Sequence, residues 1–209
     1  HKESMKLLFF GDVVGRSGRD ALCAELPRLR EHYATDVAIV NGENAAGGFG
    51  ITGEIYESFI SAGADVVTAG DHVWDQKDLL SRMDQEKRLL RGANYPDSAP
   101  GHGVAELRTA RGKTVVVIHL IGQVFMKDYL DSPFMAADRI LQRYKLGANC
   151  QAIFVDFHAE ATSEKTALGH YLDGRVSAVI GSHTHIPTAD ARILPKGTAY
   201  QTDAGMCGD

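Results

Sequence analysis

Short apolar runs of three to five residues recur along the chain, and five of them stop at a residue able to hold a metal ion. Residues 7–10 run into Gly11-Asp12, and 37–40 into Asn41-Gly42-Glu43-Asn44. Residues 66–69 run into Gly70-Asp71-His72, 153–157 into His158, and 178–180 into Gly181-Ser182-His183-Thr184-His185. Short apolar runs alternating with helix-like stretches predict parallel strands buried on both faces. Between them, residues 19–33 place Leu22, Leu26, Leu29 and Tyr33 at helical spacing, with Pro27 expected to kink or interrupt the helix. Thr52 reads as the N-cap of a helix running to about residue 62 and closed by Gly63. Residues 65–70 predict a strand and 76–83 a short helix.

The stretch 90–103 reads as loop. Residues 104–109 and 113–121 then predict two antiparallel strands joined through Ala110-Arg111-Gly112. Residues 133–144 predict a helix with Met135, Ile140, Leu141 and Tyr144 inward. A strand at 152–157, a helix at 163–172, and strands at 177–180 and 198–202 complete the pattern. Parallel units flanking an antiparallel pair imply an α/β fold, a four-layer α-β-β-α sandwich, with candidate ligands at the C-terminal ends of its strands. With no repeat, charge block or low-complexity tract, residues 5–209 read as one domain; residues 1–4, before Met5, read as an expression scar.

Convergence at one end of a sheet changes what the polar residues mean. Taken singly, each has an ordinary reading: Asp12 as a turn former, the glycine-rich loop after Asn44 as a flexible turn, His72 and His158 as satisfied histidines. Taken together, Asp12, Glu43, Asn44, Asp71, His158, His183 and His185 supply carboxylate, amide and imidazole donors in the number two cations need. Glu43 can bridge two ions. In an extended segment His183 and His185, two apart, would face the same way. His1, His32, His102, His119 and His170 are given no role.

Composition narrows the partners. At 209 residues, the chain buries enough surface to need no disulfide staples. A formal net charge of −5 argues against stable binding to duplex nucleic acid but not against a small anion held by metal. Three scattered cysteines, no signal peptide and no membrane-length apolar run point to free thiols, no membrane and a cytoplasmic location. Gly11 to Gly18 lacks the Gly-x-Gly-x-x-Gly spacing of dinucleotide binders. The His-x-His pair follows a late strand, whereas in metal-dependent amidohydrolases it follows the first.

The stretches Gly11-Asp12-Val13-Val14-Gly15, Asn41 to Gly50, Asp71-His72, Asp156 to Lys165, Tyr171 to Arg175, Gly181 to Asp190 and Thr198 to Gly205 resemble the calcineurin-like metallophosphoesterases, specifically their bacterial YmdB-like branch. The resemblance implies a two-metal centre, with iron the expected metal and manganese an alternative, and phosphodiesterase activity toward cyclic nucleotides, 2′,3′-cyclic AMP in particular. It assigns Asp12, Glu43, Asn44 and His185 to one ion, and Glu43, Asp71, His158 and His183 to the other. His72 becomes the proton donor to the leaving oxygen. The implied mechanism has two cations about 3.5–4 Å apart activating a water that attacks phosphorus in line.

Two departures from the family pattern stand out. The family has Asn where this chain has Asp71, which makes the ligand charge −3 against +4 for two divalent ions. Family members also continue past the segment that ends here at Asp209, which bears on assembly and leaves a homo-oligomer open. The rival function is a metal-binding regulatory or RNA-associated protein whose catalysis is weakened. Phe49 and Tyr95 offer rings to a nucleobase, or else serve packing.

Overall fold

The computed structural model describes residues 4–208; three of the four residues read as a scar, and Asp209, lie outside the described residues. In chain order the elements are β1 (Leu7–Phe10), β2 (Asp12–Val13), α1 (Gly15–Tyr33), β3 (Val37–Asn41), α2 (Gly53–Ala62), β4 (Val66–Thr68), α3 (Lys77–Leu80) and β5 (Leu89–Leu90). Then follow β6 (Val104–Arg108), β7 (Thr114–Ile121), α4 (Pro133–Leu141), β8 (Ala152–His158), α5 (Thr162–Leu172), β9 (Ala178–Ser182), β10 (Arg192–Ile193), β11 (Ala199–Gln201) and β12 (Met206–Cys207).

One sheet is parallel throughout, in the order β1-β3-β4-β5. The other has six strands, β10-β11-β9-β8-β7-β6, with antiparallel partners at its two edges. A third, two-stranded parallel pairing joins β12 to β2. Val37, Ile39, Val66 and Leu90 of the first sheet pack against Ala105, Val115, Val117, Ala152 and Phe154 of the second. Residues on the opposite faces, such as Ala38 and Val40, or Ile153, Val155 and Phe157, pack with the residues of α1 and α2 or of α4 and α5. This is the four-layer sandwich the apolar pattern implied.

Strand periodicity places the site. Along β8, Ala152 and Phe154 face the other sheet, so Asp156 and His158 continue that same face. At the strands' C-terminal ends the layer between the sheets therefore turns from apolar to polar, and Asn41, Thr68, His119 and Asp156 are all fully buried there.

Several sequence expectations need correction. α1 begins at Gly15 and runs through Pro27 without interruption. A mid-helix proline costs about 3 kcal/mol, but burying Leu22 and Leu26 contributes about 1.5–3 kcal/mol each and holds the helix on the sheet. Tyr33, at its end, is exposed. Met135 is 66% exposed rather than inward, and Tyr144 lies beyond the end of α4, whose buried stripe is Ala136, Ala137, Ile140 and Leu141. The 90–103 stretch is loop only after Leu90, which pairs with Thr68. α3 is one turn, shorter than the helix expected over 76–83. Thr52 Oγ1 does cap α2 by accepting from Ile55 N at 3.2 Å, and Gly63 ends it with φ 117°. All three cysteines are free, and among the described residues no helix is long and apolar enough to cross a membrane.

Candidate metal centre

Two glycines let the ligand-bearing loops close on one another. A Cβ on Gly11 would lie 1.9 Å from the Gly205 carbonyl oxygen, so only glycine lets β2 reach β12 and hold Asp12 there. Gly70, at φ 61°, lies against the Glu43 side chain, and a Cβ would come within 2.6 Å of it. That contact brings the loops after β3 and β4 together.

Asp12 is fully buried. Its Oδ2 accepts from the backbone N–H of His183 at 3.0 Å and lies 3.1 Å from His185 Nε2. Asn44 Nδ2 lies 3.0 Å from the same His185 nitrogen. On the other side, His158 Nε2 is 2.5 Å from Glu43 Oε2, 3.1 Å from Asp71 Oδ1 and 3.0 Å from His183 Nδ1. One ligand atom each from Glu43, Asp71, His158 and His183 lies within 4.8 Å of all the others. His72 Nε2 faces Glu43 Oε1 at 3.6 Å, and its Nδ1 is 2.8 Å from Asp75 Oδ2. The structure thus brings together every residue the sequence singled out for the site.

It does so by a different backbone than the sequence suggested. His183 has φ 102° and His185 φ 67°, so the pair is not extended. Left-handed backbone at two non-glycine residues is strained. It turns His183 toward His158 and His185 toward Asp12 and Asn44, so the two imidazoles serve opposite sides of the cluster. Asp203 holds the turn, accepting from Thr184 N at 3.0 Å and Thr184 Oγ1 at 2.7 Å, and is itself paired with buried Lys165 Nζ at 3.0 Å.

The hydrogen bonds decide which nitrogen of His158 is free. Ser182 Oγ donates to Asp156 Oδ1 at 2.7 Å, so it accepts from His158 Nδ1–H at 2.9 Å. In the neutral ring, Nε2 then turns a lone pair toward two carboxylates and a second imidazole. Asp12 Oδ1 and Glu43 Oε2 are buried without a hydrogen-bond partner. Converging lone pairs and orphaned buried carboxylate oxygens are what a cation would satisfy, and mixed oxygen and nitrogen donors suit iron, manganese or zinc. The residues fit a metal centre.

The same crowding governs the charges. Burial pushes Glu43 well above the usual carboxylate range, helped by neighbouring Asp71 and Asp12. Burial would raise Asp71 too, but hydrogen bonds to His158 and Glu43 overcome it and hold Asp71 far below that range. Against burial, Glu43, Asp71 and Asp12 push the His158 imidazole well up. Burial and the nearby His158 lower His183.

Sequence reasoning missed the supporting layer. Asp156 is fully buried and accepts from Asn41 Nδ2 at 3.0 Å and Thr68 Oγ1 at 2.7 Å as well as from Ser182, joining β3, β4 and β9 behind the cluster. His119, given no role, is fully buried; its Nε2 accepts from Gly70 N at 3.1 Å while Nδ1 contacts the Asp156 carbonyl oxygen at 3.1 Å. Burial lowers its pKa, in keeping with a neutral ring that accepts through Nε2. Glu160 Oε2 lies 3.0 Å from His183 Nε2. The available signal was period two: Asp156 shares a face with His158, and His119 with the inward residues of β7. Of the two candidate stacking rings, Tyr95 is core, edge-on to Trp74 and donating to Asp128, whereas Phe49 is 68% exposed.

A four-layer α-β-β-α sandwich with such a cluster at the carboxyl ends of its strands has the build of a calcineurin-like metallophosphoesterase. The YmdB-like protein family profile matches residues 8–209, and the chain belongs to that family. It is 50% identical over 204 residues to a 2′,3′-cyclic-nucleotide 2′-phosphodiesterase of Bacillus subtilis, covering 98% of this chain and 76% of that protein. A crystal structure of a hypothetical protein from Thermus thermophilus superposes with TM-score 0.91 at 46% identity, covering 98% of this chain and 78% of that one. The crystal structure of a novel phosphatase from Mycoplasma pneumoniae gives TM-score 0.89 at 37% identity, covering 99% and 73% respectively.

Proposed function

We propose that this chain hydrolyses 2′,3′-cyclic nucleotides, 2′,3′-cyclic AMP among them, at a centre of two metal ions. At the coarser level it is a metal-binding phosphoric diester hydrolase. The observation that carries the finer reading is the convergence of Glu43, Asp71, His158 and His183, with orphaned lone pairs, beside a half-exposed histidine. A phosphodiesterase acting on a cyclic nucleotide, half identical to this chain, supports the substrate class.

Asp12, Glu43, Asn44 and His185 would hold one ion, and Glu43, Asp71, His158 and His183 the other, with Glu43 shared. Iron is the favoured metal and manganese the alternative. When bound, the pair supplies Lewis acidity for the phosphate oxygens and a water of lowered pKa. The chain's own contributions are positional. Ser182 fixes His158 in the tautomer that leaves Nε2 free, and Asp203 fixes the turn that separates His183 from His185. Asp75 accepts from His72 Nδ1–H, which aims Nε2 at the site. Protonated there, His72 would give its proton to the departing ribose oxygen, a role that contributes about 10²–10⁴ in rate. The site draws on both sheets, which supports 5–209 acting as one domain, and three free thiols agree with a cytoplasmic location.

Asp71 tunes rather than abolishes the centre in this reading. A third carboxylate holds cations more tightly and weakens their Lewis acidity. The test is hydrolysis of 2′,3′-cyclic AMP by protein stripped of metal and reloaded with manganese or ferrous iron, beside D71N. Metal-dependent turnover is expected in both, higher in D71N, and lost in His72→Ala by about 10²-fold or more. Silence in both the parent and D71N would sink the cyclic-nucleotide assignment. It would favour instead the metal-stabilised regulatory or RNA-associated protein, to which Asp71 is the pointer.

A further inference from the structure

Away from the metal centre, a cavity of about 560 Å³ opens between α4 and the 91–104 segment. Three arginines line it, Arg91, Arg139 and Arg143, against a single acidic residue, Asp97. This is a positive pocket on a chain of formal net charge −5.

Arg91 is the informative member because it is only 7% exposed. Buried charges are normally paired. Arg91 instead donates to the carbonyls of Gly92 at 3.0 Å, Pro100 at 3.2 Å, Ala99 at 3.3 Å and Gly101 at 3.4 Å. Those bonds satisfy most of its N–H groups but leave its charge uncompensated: among the described residues it makes no ion pair. Asp97 and Asp84 act on it only at a distance. Arg139 on α4 and Arg143 in the turn that follows it are both exposed, and neither is in an ion pair among the described residues. Arg143 lies over the Tyr144 ring, 5.7 Å from its centroid, and Tyr144 Oη donates to Glu106. His102 is turned by its Nε2 contact with the Asp84 carbonyl at 2.9 Å.

We propose that this cavity binds a small phosphate-bearing anion. Guanidinium forks match phosphate oxygens in pairs, which suits the two exposed arginines at the end of α4 and in the turn after it, while the charge of buried Arg91 adds attraction. The volume is that of a small-molecule site, within roughly 300–1,000 Å³. The site shares no residue with the metal centre and does not depend on the substrate assigned there.

The test is calorimetric titration of inorganic phosphate into the metal-loaded protein and into R139Q/R143Q, repeated with 5′-AMP. Both side chains are exposed and outside the metal centre, so the fold and the hydrolysis of a generic diester should be unchanged. The double variant is expected to bind one fewer phosphate per chain. Its residual affinity for that site should be lower by about 100-fold or more, each charged hydrogen-bonding side chain counting for roughly tenfold. Tighter binding of 5′-AMP, lost in the same variant, would identify a nucleotide as the occupant; equal binding would identify phosphate itself. The same stoichiometry and affinity in parent and variant would overturn the proposal. So would phosphate binding that a chelator removes entirely.

Discussion

Ser182 carries more of the centre than a serine at a strand end ordinarily does. Its hydroxyl accepts from His158 Nδ1–H at 2.9 Å, donates to Asp156 at 2.7 Å, and lies 3.2 Å from Asn41 Nδ2. Removing it leaves a buried imidazole N–H and a buried carboxylate each short of a partner, and frees His158 to rotate. Groups that orient a ligating histidine typically contribute 10–100-fold to metal affinity. Ser182→Ala should therefore lower metal affinity by about that factor, read by competition with a chromogenic chelator. An affinity equal to the parent's would show that the hydroxyl does not orient His158. Asp12, Glu43, Asp71 and the histidines were legible because each interrupts an apolar run. Ser182 was not, because a hydroxyl whose work is to satisfy another residue's hydrogen bond leaves no pattern in one chain; Asp156 and His119 left only the period-two signal that puts them on the inward faces of β8 and β7.

Elements were legible in proportion to their length. β3, β7, β8 and the helices α1, α2 and α5 span enough residues for a period to show. β2, β5, β10 and β12 have two residues each, too few for any alternation, and exist because a neighbouring strand offers free backbone groups. The β9-to-β10 connection is the clearest case of a correct residue pair with the wrong backbone. His183 and His185 were assigned on extended geometry, yet both are left-handed. What imposes that turn is Asp203, buried with Lys165, each 1% exposed at the side chain. Breaking a buried pair by removing one partner costs about 3–5 kcal/mol. Lys165→Met should lower stability by about that amount in denaturant titration. It should also weaken metal binding through the loosened Thr184 turn. Unchanged stability and affinity together would show that the turn holds itself.

Across the whole molecule, the centre draws on both sheets: Asp12, Glu43 and Asp71 follow strands of the first, while His158 and His183 belong to β8 and the end of β9 in the second. A cation held between them binds the folded state alone, and so stabilises the packing of sheet on sheet. At a free concentration a thousand times the dissociation constant this amounts to about 4 kcal/mol per site. Chelation should thus lower the melting temperature by several degrees, and restored manganese should recover it. A melting temperature indifferent to chelator would mean the sheets are locked without the ion.

The two-residue pairing of β2 with β12 sets Asp12 beside a strand made almost two hundred residues later. At about 5–20 residues per second, roughly 10–40 s of translation separate the two. During that time Asp12 hangs from a nascent chain with no His183 amide, no His185 and no β12 to fix it. The first ligand to leave the ribosome is thus among the last to be seated, and the finished centre forms only once nearly the whole sandwich has been made.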